Sequence, residues 1–345
     1  MKKKLSLAEA IYAHFYRRRK SEAESKRTRF EQTRIISVGN ITTGGTGKTP
    51  ATAWLVRRLQ SEGQSVAVVG RGYGGELSSQ GAVVSDGKTI LLNAAQAGDE
   101  ALLHARSLPG VPVVIGRDRV AVVQLAIEKF APQVIVLDDG FQYWSLERNF
   151  DLVLLDARLP FGNGKLLPVG RLREPQSELE RASAVLLTRA DAASQAQLQQ
   201  TQEEIRRFSA APIFVSSHAP QGLRNEAGGA VQELGFLRGQ RVAALAALAN
   251  NEPFFQLLKE QRAEVVETLG RRDHHHWQEK EVREFAAKAQ KRGAGLLITT
   301  EKDAVKIAPE WCAPLPLFSL QIALQIENEA GLWELVKSRI ASNHS

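Results

Sequence analysis

Ile35-Ile36-Ser37-Val38-Gly39-Asn40-Ile41-Thr42-Thr43-Gly44-Gly45-Thr46-Gly47-Lys48-Thr49-Pro50 carries an apolar strand into a glycine-rich turn that closes on Gly-Lys-Thr. Such a turn lets backbone N–H groups converge on phosphate oxygens at the positive end of a following helix. Thr42, Thr43, Gly44, Gly45, Thr46, Gly47, Lys48 and Thr49 therefore read as the nucleotide cradle. Lys48 is expected to reach the β/γ-phosphates, and Thr49 to offer its hydroxyl to Mg²⁺. Thr42 stands where the strict motif has its first glycine, whereas residues 43–49 fit. Residues 51–59 continue as a helix, and Pro50 is tolerated in a first helical turn.

Apolar, β-branched runs recur at 65–70, 111–115, 134–137, 152–155 and 184–187, separated by helical patterns. They predict parallel strands buried on both faces, giving an α/β doubly wound sheet of the P-loop NTPase kind with ligands at the strands' carboxyl ends. A polar, glycine-containing stretch near 219–239 precedes a second series at 241–248, 263–266, 295–299 and 315–318. This predicts three regions: an arm over 1–34, a P-loop kinase domain over 35–220, and a smaller α/β domain over 221–345. The cleft between the two domains is the expected active site.

With 345 residues, 43% of them hydrophobic, the chain can bury a sizeable core. The single cysteine, Cys312, excludes an internal disulfide and suits a reducing compartment. Residues 1–34 hold eleven Lys/Arg against four Asp/Glu, which accounts for the whole net charge of +7. The neutral remainder argues against a nucleic-acid-binding body. In the arm, Lys2-Lys3-Lys4 and Arg17-Arg18-Arg19-Lys20 bracket Leu5, Ala8, Ile11, Tyr12, Phe15 and Tyr16, which fall on one helical face. That suits a helix lying on an anionic membrane surface, or one packed on its own domain with a solvated basic face. Glu9 and His14 interrupt the apolar run, and no segment reaches the ~20 apolar residues of a span, so a soluble or peripheral protein is expected. No feature of the chain identifies a protein partner.

The strand at 134–137 delivers Asp138-Asp139-Gly140, an arrangement that sets a carboxylate beside nucleotide-bound Mg²⁺. One acid suffices for the ion or its water, which leaves the other for a supporting or substrate contact. Asp99, in Gly98-Asp99-Glu100, reads from sequence as a helix N-cap. Asp273-His274-His275-His276 lacks the i, i+4 spacing of a helical metal pair, and one imidazole oriented by a carboxylate suits proton handling better. Thr188-Arg189-Ala190-Asp191 only loosely matches a guanine reader, which favours ATP.

Taken together with Arg71-Gly72-Tyr73-Gly74, Asp118-Arg119, Leu167-Pro168-Val169-Gly170-Arg171-Leu172-Arg173-Glu174-Pro175 and Thr300-Glu301-Lys302-Asp303-Ala304-Val305-Lys306, these strings resemble the tetraacyldisaccharide 4′-kinase family, the lipid A 4′-kinases. The likeness spans most of the chain and includes the missing glycine at Thr42. It implies transfer of the ATP γ-phosphate to the 4′-hydroxyl of tetraacyldisaccharide 1-phosphate, forming lipid IVA, with the protein peripheral on the cytoplasmic face of an inner membrane. It also implies that Asp99 pairs with His274 as a dyad that removes the hydroxyl proton, displacing the N-cap reading. Lys48, Mg²⁺ and Arg119 are then expected to supply positive charge, with Thr49, Asp138 and Asp139 organising the ion. Arg71, Arg173 and Glu174 are weaker candidates for substrate or interdomain contacts, with exposed structural salt bridges as the equal alternative. The segment 300–306 caps a helix or helps line the cleft. Two rival readings are a membrane-associated P-loop switch and a noncatalytic lipid binder. A simple switch does not require Asp99 and the Asp273-His274-His275 string, and the intact Lys48, Thr49, Asp138 and Asp139 speak against a noncatalytic binder.

Overall fold

A computed structural model describes residues 6–273 and 275–341. Over these the chain divides into two compact units, one running to His218 and resumed from Leu324, the other covering Ala219–Ala323. The strands are β1 Arg34–Gly39, β2 Val66–Gly70, β3 Ala82–Asp86, β4 Pro112–Ile115, β5 Val134–Asp138, β6 Phe150–Asp156, β7 Ala184–Thr188, β8 Ile213–Asn225, β9 Val231–Glu233, β10 Arg241–Ala247, β11 Glu264–Arg271, β12 Leu296–Thr300 and β13 Leu317–Ile326. The helices are α1 Leu7–Glu24, α2 Lys48–Ser61, α3 Ala94–Ala97, α4 Asp99–Ser107, α5 Arg119–Phe130, α6 Gln195–Arg206, α7 Glu252–Glu260, α8 Glu279–Lys291, α9 Glu301–Ala304 and α10 Glu329–Ala341.

In the larger unit the strands lie in the order β8-β7-β6-β1-β5-β2-β4-β3 and run parallel, except β3, which pairs antiparallel with β4 at the edge. Side chains alternate across each strand. Ile36, Val38, Val68 and Val136 therefore pack with Leu55, Val56 and Leu59 of α2, while Ile35, Val69, Ile135 and Leu137 meet Val122, Val123 and Ala126 of α5. Helices on both faces explain why these strands read as unbroken apolar runs. The β1/β5 register sets Asp138 opposite Val38, one residue short of the glycine turn.

The C-terminal segment does not stay with the smaller unit, as a domain over 221–345 had implied. Leu332, Trp333 and Val336 of α10 bury in the larger unit's core, and Trp333 donates Nε1–H to Glu62 at 3.2 Å. Their apolar surface finds its cover there, each such side chain contributing roughly 1.5–3 kcal/mol when fully buried.

The N-terminal helix α1 divides its apolar residues between two faces. Ala13 and Tyr16 are buried, whereas Leu7, Ile11 and Phe15 are 79%, 50% and 57% exposed and Ala8 is also exposed. The single face expected from sequence is thus split; Leu5 and Lys2-Lys3-Lys4 lie outside the described residues. Ser6 caps the helix in a box with Glu9, whose other oxygen accepts the Leu166 N–H at 3.2 Å.

The smaller unit is a parallel sheet in the order β11-β10-β12-β13. Phe285 and Ala286 of α8 cover one face, and Phe255 and Leu258 of α7 the other. The polar stretch 219–239 contains the end of β8 and the exposed β9, paired antiparallel from Gly222↔Glu233 to Arg224↔Val231. β9 is exposed along its whole length, whereas on the β8 side Leu223 is buried in the smaller unit's core. Thr300 caps α9 by accepting the Asp303 N–H at 3.1 Å. Fully buried Asp303 also binds the Ala247 N–H at 2.9 Å, Trp277 Nε1 at 3.0 Å and Lys306 Nζ at 3.0 Å.

Candidate active site around the glycine turn

Gly47 occupies the N-cap of α2 with φ +79°, and a Cβ there would fall 2.8 Å from the His218 ring, so glycine meets both the conformational and the steric demand. Lys48 and Thr49 open the helix, where backbone N–H groups lack intrahelical partners. Thr46 is buried, accepting from Asn40 Nδ2 at 2.9 Å, and its carbonyl accepts the Thr188 hydroxyl at 3.1 Å. The outer limb of the turn is laddered to a distant segment: Thr43 N–H donates to Arg171 O at 2.7 Å, and Arg173 N–H to Ile41 O at 2.8 Å. Thr42 bridges Leu172 within this ladder. Extended backbone needs no glycine at that position. Gly44 and Gly45 remain exposed.

Both acids lie at the end of β5. Asp139 has φ +60°, a left-handed conformation that aspartate tolerates better than most residues. Arg173 grips it in a two-pronged pair, Lys48 Nζ stands 3.7 Å from its Oδ1, and Arg173 also reaches the Asn40 side-chain oxygen. Burial works against the Asp139 charge, but Arg173, Lys48 and Arg119 outweigh it and hold the carboxyl at about 2. Arg119 is itself buried, with one guanidinium nitrogen on Gly116 O. Burial lowers it to about 10, opposed by Asp139 and Asp138, so it stays cationic near neutral pH. Asp138 points elsewhere: its Oδ2 lies 2.8 Å from His104 Nε2, with both side chains buried, and its Oδ1 is buried without a hydrogen bond.

Glu174 is wholly buried, which excludes the exposed salt bridge considered for it. It accepts from Gln142 Nε2 at 2.7 Å, Arg181 Nη2 at 2.8 Å and the Tyr16 hydroxyl at 3.3 Å. Gln142 Nε2 also donates to Asn40 O at 2.7 Å, and Tyr12 OH donates to Arg173 O at 2.7 Å. Helix α1 is thereby tied through Arg173 and Glu174 to the glycine turn. Burial pushes the Glu174 carboxyl up to about 7 despite the opposing pull of Arg181 and Gln142.

Asp99 is the first helical residue of α4, and Gly98 is the N-cap, which corrects the cap reading of Asp99. Gly98 has φ +85°, and a Cβ there would lie 2.4 Å from Tyr73 O, so the turn after Arg71 packs on the start of α4. Arg71 is exposed, and its charge acts on Arg119. Asp118 does cap α5, accepting from Val120 N at 3.0 Å and Ala121 N at 3.2 Å. In the smaller unit Asp273 pairs with Lys302 at 2.8 Å; His274, the expected partner of Asp99, lies outside the described residues. His104, Asn40 and Gln142 were not singled out from sequence. The available signal was a lone imidazole in the apolar run Ala101-Leu102-Leu103-His104-Ala105, Asn40 after Gly39, and Gln142 two residues past Gly140.

The family model described as tetraacyldisaccharide-1-P 4'-kinase matches residues 1–341. A tetraacyldisaccharide 4'-kinase from Desulfatibacillum aliphaticivorans is 40% identical over 89% of this chain and 83% of its own length. One from Geobacter sulfurreducens is 42% identical over 84% of this chain and 79% of its own. The crystal structure of LpxK from Aquifex aeolicus in complex with ATP superimposes with a TM-score of 0.78 at 28% identity, covering 96% of this chain and 97% of that one. By sequence along almost its whole length, and by the fold that carries the glycine turn and the strand-end acids, the chain belongs to the tetraacyldisaccharide-1-P 4'-kinase family.

Proposed function

We infer that this protein is an ATP-dependent kinase that phosphorylates the 4′-hydroxyl of tetraacyldisaccharide 1-phosphate, giving lipid IVA in lipid A synthesis. Family membership supplies the substrate pair. The observation carrying the chemistry is that Lys48, at the start of α2, stands 3.7 Å from Asp139 at the end of β5. A phosphate cradle and a metal-type acid thus meet at one point of the sheet.

The donor set fits a hard divalent cation. Asp138 Oδ1 is a buried oxygen without a hydrogen bond, and such an atom is costly unless something binds it. Among the described residues no group of three or more His, Cys, Asp or Glu could form a metal cage. An ion held by so few side chains would take most of its ligands from phosphate and water, the habit of Mg²⁺. Thr49, Asp138 and Asp139 are the residues assigned to hold it, and Mg²⁺ bound there would neutralise charge on the phosphates.

The protein's own groups then divide the work. Lys48 exchanges its Asp139 contact for phosphate oxygens, and Arg119 adds fixed positive charge. Arg173 and Glu174 brace the turn and Asp139, while exposed Arg71 is assigned to an anionic group of the substrate. As the sugar oxygen bonds to the γ-phosphorus and the bond to ADP breaks, the hydroxyl proton passes to Asp99, with His274 as its partner. Among the described residues no helix is long and apolar enough to cross a membrane. We assign attachment to α1, whose exposed Leu7, Ile11 and Phe15 precede the exposed Arg17, Arg18 and Arg19. An anionic cytoplasmic membrane face is the matching partner. The assay supplies ATP labelled in the γ-phosphate with tetraacyldisaccharide 1-phosphate. Label is expected in lipid, with loss in Asp99→Ala and His274→Ala; ATP hydrolysis without lipid labelling overturns the kinase reading.

A further inference from the structure

We propose that His104 is a positioning residue for the metal-binding acid, an inference that rests on the assignment of Asp138 to the ion. Their bond is 2.8 Å long, with the side chains only 1% and 7% exposed, and it joins helix α4 to the end of β5 across 34 residues of sequence. With Asp138 accepting, Nε2 is the donor. That bond occupies Oδ2 and stops the carboxylate rotating, which leaves Oδ1 in one direction with no hydrogen bond of its own. A carboxylate locked on one side and open on the other is presented ready for a cation or its water, without the entropy cost of ordering it on binding.

A plain core histidine accounts less well for the details. The face of α4 that carries Ala101 and Ala105 is apolar and buried, and a leucine would fill it without importing a polar ring. His104 Nδ1 is buried with no partner, so the ring carries an unsatisfied atom into the core. The compensating gain is the single bond to Asp138. The same helix begins at Asp99, about 7.5 Å back along its axis at 1.5 Å per residue, so this bond also fixes the element that bears the proposed base.

The test is Mn²⁺ affinity, read by electron paramagnetic resonance on the full-length protein saturated with β,γ-imido-ATP, alongside the metal dependence of turnover. Glutamine carries its amide nitrogen where Nε2 lies, and asparagine stops near Nδ1. His104→Gln is therefore expected to bind Mn²⁺ within a few-fold of wild type, and His104→Asn roughly 10- to 100-fold more weakly, the usual effect of removing a carboxylate's support. Both variants introduce a similar polar amide into the same core, so a purely structural role predicts equal metal affinity for the two. Equal affinity in folded His104→Gln and His104→Asn overturns the proposal. Asp138→Asn separates this from failure of the metal assignment: Mn²⁺ binding unchanged in that variant removes Asp138 from the ion, and the inference with it.

Discussion

Arg173 holds Asp139 with both arms of its guanidinium, Nη1 to Oδ2 at 2.9 Å and Nη2 to Oδ1 at 2.6 Å, while its own backbone is stitched to Ile41 and Tyr12. One residue thus joins the glycine turn, the strand-end acid and the N-terminal helix. Arg173→Lys keeps the charge, but an ammonium cannot span both oxygens in one plane. Loss of a charge-assisted bond is worth about 1.5–3 kcal/mol, which corresponds to kcat/KM lower by about 10- to 100-fold. Steady-state kinetics check this; Arg173→Lys within twofold of wild type assigns the orientation of Asp139 to its backbone instead.

Glu174 sets a pH dependence of stability that is opposite in sign to that of Asp139. Burial raises the Glu174 carboxyl from 4.5 to about 7, so its contribution is fully present below about 4.5 and is lost as pH rises through 7. Asp139 is held at about 2, so its contribution is present above about 4 and disappears only as pH falls through 2. Thermal melts of Glu174→Gln against wild type isolate the contribution of Glu174. The melting temperature of the variant should gain on wild type between pH 5 and 8, as the free energy of unfolding shifts in its favour by on the order of 2–3 kcal/mol at most. A constant difference across that range contradicts a buried, raised carboxyl.

Gly98 lies where the turn after Arg71 meets α4, and a methyl group there would press on Tyr73 O at 2.4 Å in a backbone conformation with φ +85°. Gly98→Ala should therefore cost about 1–3 kcal/mol and shift the helix that carries Asp99 and His104. Differential scanning calorimetry should show a drop of several degrees, and turnover should fall further than nucleotide binding. Unchanged melting with full activity shows that the turn yields without cost.

What the sequence made legible followed from local rules. Unbroken β-branched runs announce strands covered on both faces, and a Gly-Lys-Thr turn after the first of them places the cradle at a strand's carboxyl end. The acids at 138 and 139 were visible because they terminate such a run. The partners of those acids were not visible. His104 meets Asp138 across 34 residues, and Arg173 meets Asp139 across the same separation; no periodicity reports a contact of that kind. Glu174 was misjudged as a possible surface charge because glutamate is rarely fully buried, and here Gln142, Arg181 and Tyr16 make burial tolerable. The short, exposed β9 was hidden in a polar, glycine-containing stretch, and α10 was assigned to the wrong unit because chain order says nothing about which core a C-terminal helix rejoins.

Helix α1 has two faces with separable tasks. Tyr12 and Tyr16 bind Arg173 O and Glu174, so deleting residues 1–20 removes supports of the glycine turn along with any membrane contact. Lost lipid turnover after that deletion does not by itself locate the membrane. Ile11→Ser with Phe15→Ser alters only side chains that are 50% and 57% exposed, leaving the tyrosines in place. This double variant should sediment less with anionic vesicles and turn over dispersed, vesicle-borne substrate more slowly, while ATP binding and melting temperature stay at wild-type values. The converse pair, Tyr12→Phe with Tyr16→Phe, should keep vesicle binding but lower kcat. High salt should release the wild type only in part, because screening weakens the attraction of Arg17, Arg18 and Arg19 and leaves the apolar stripe untouched. Vesicle binding unchanged in Ile11→Ser/Phe15→Ser at both low and high salt removes α1 as the attachment surface.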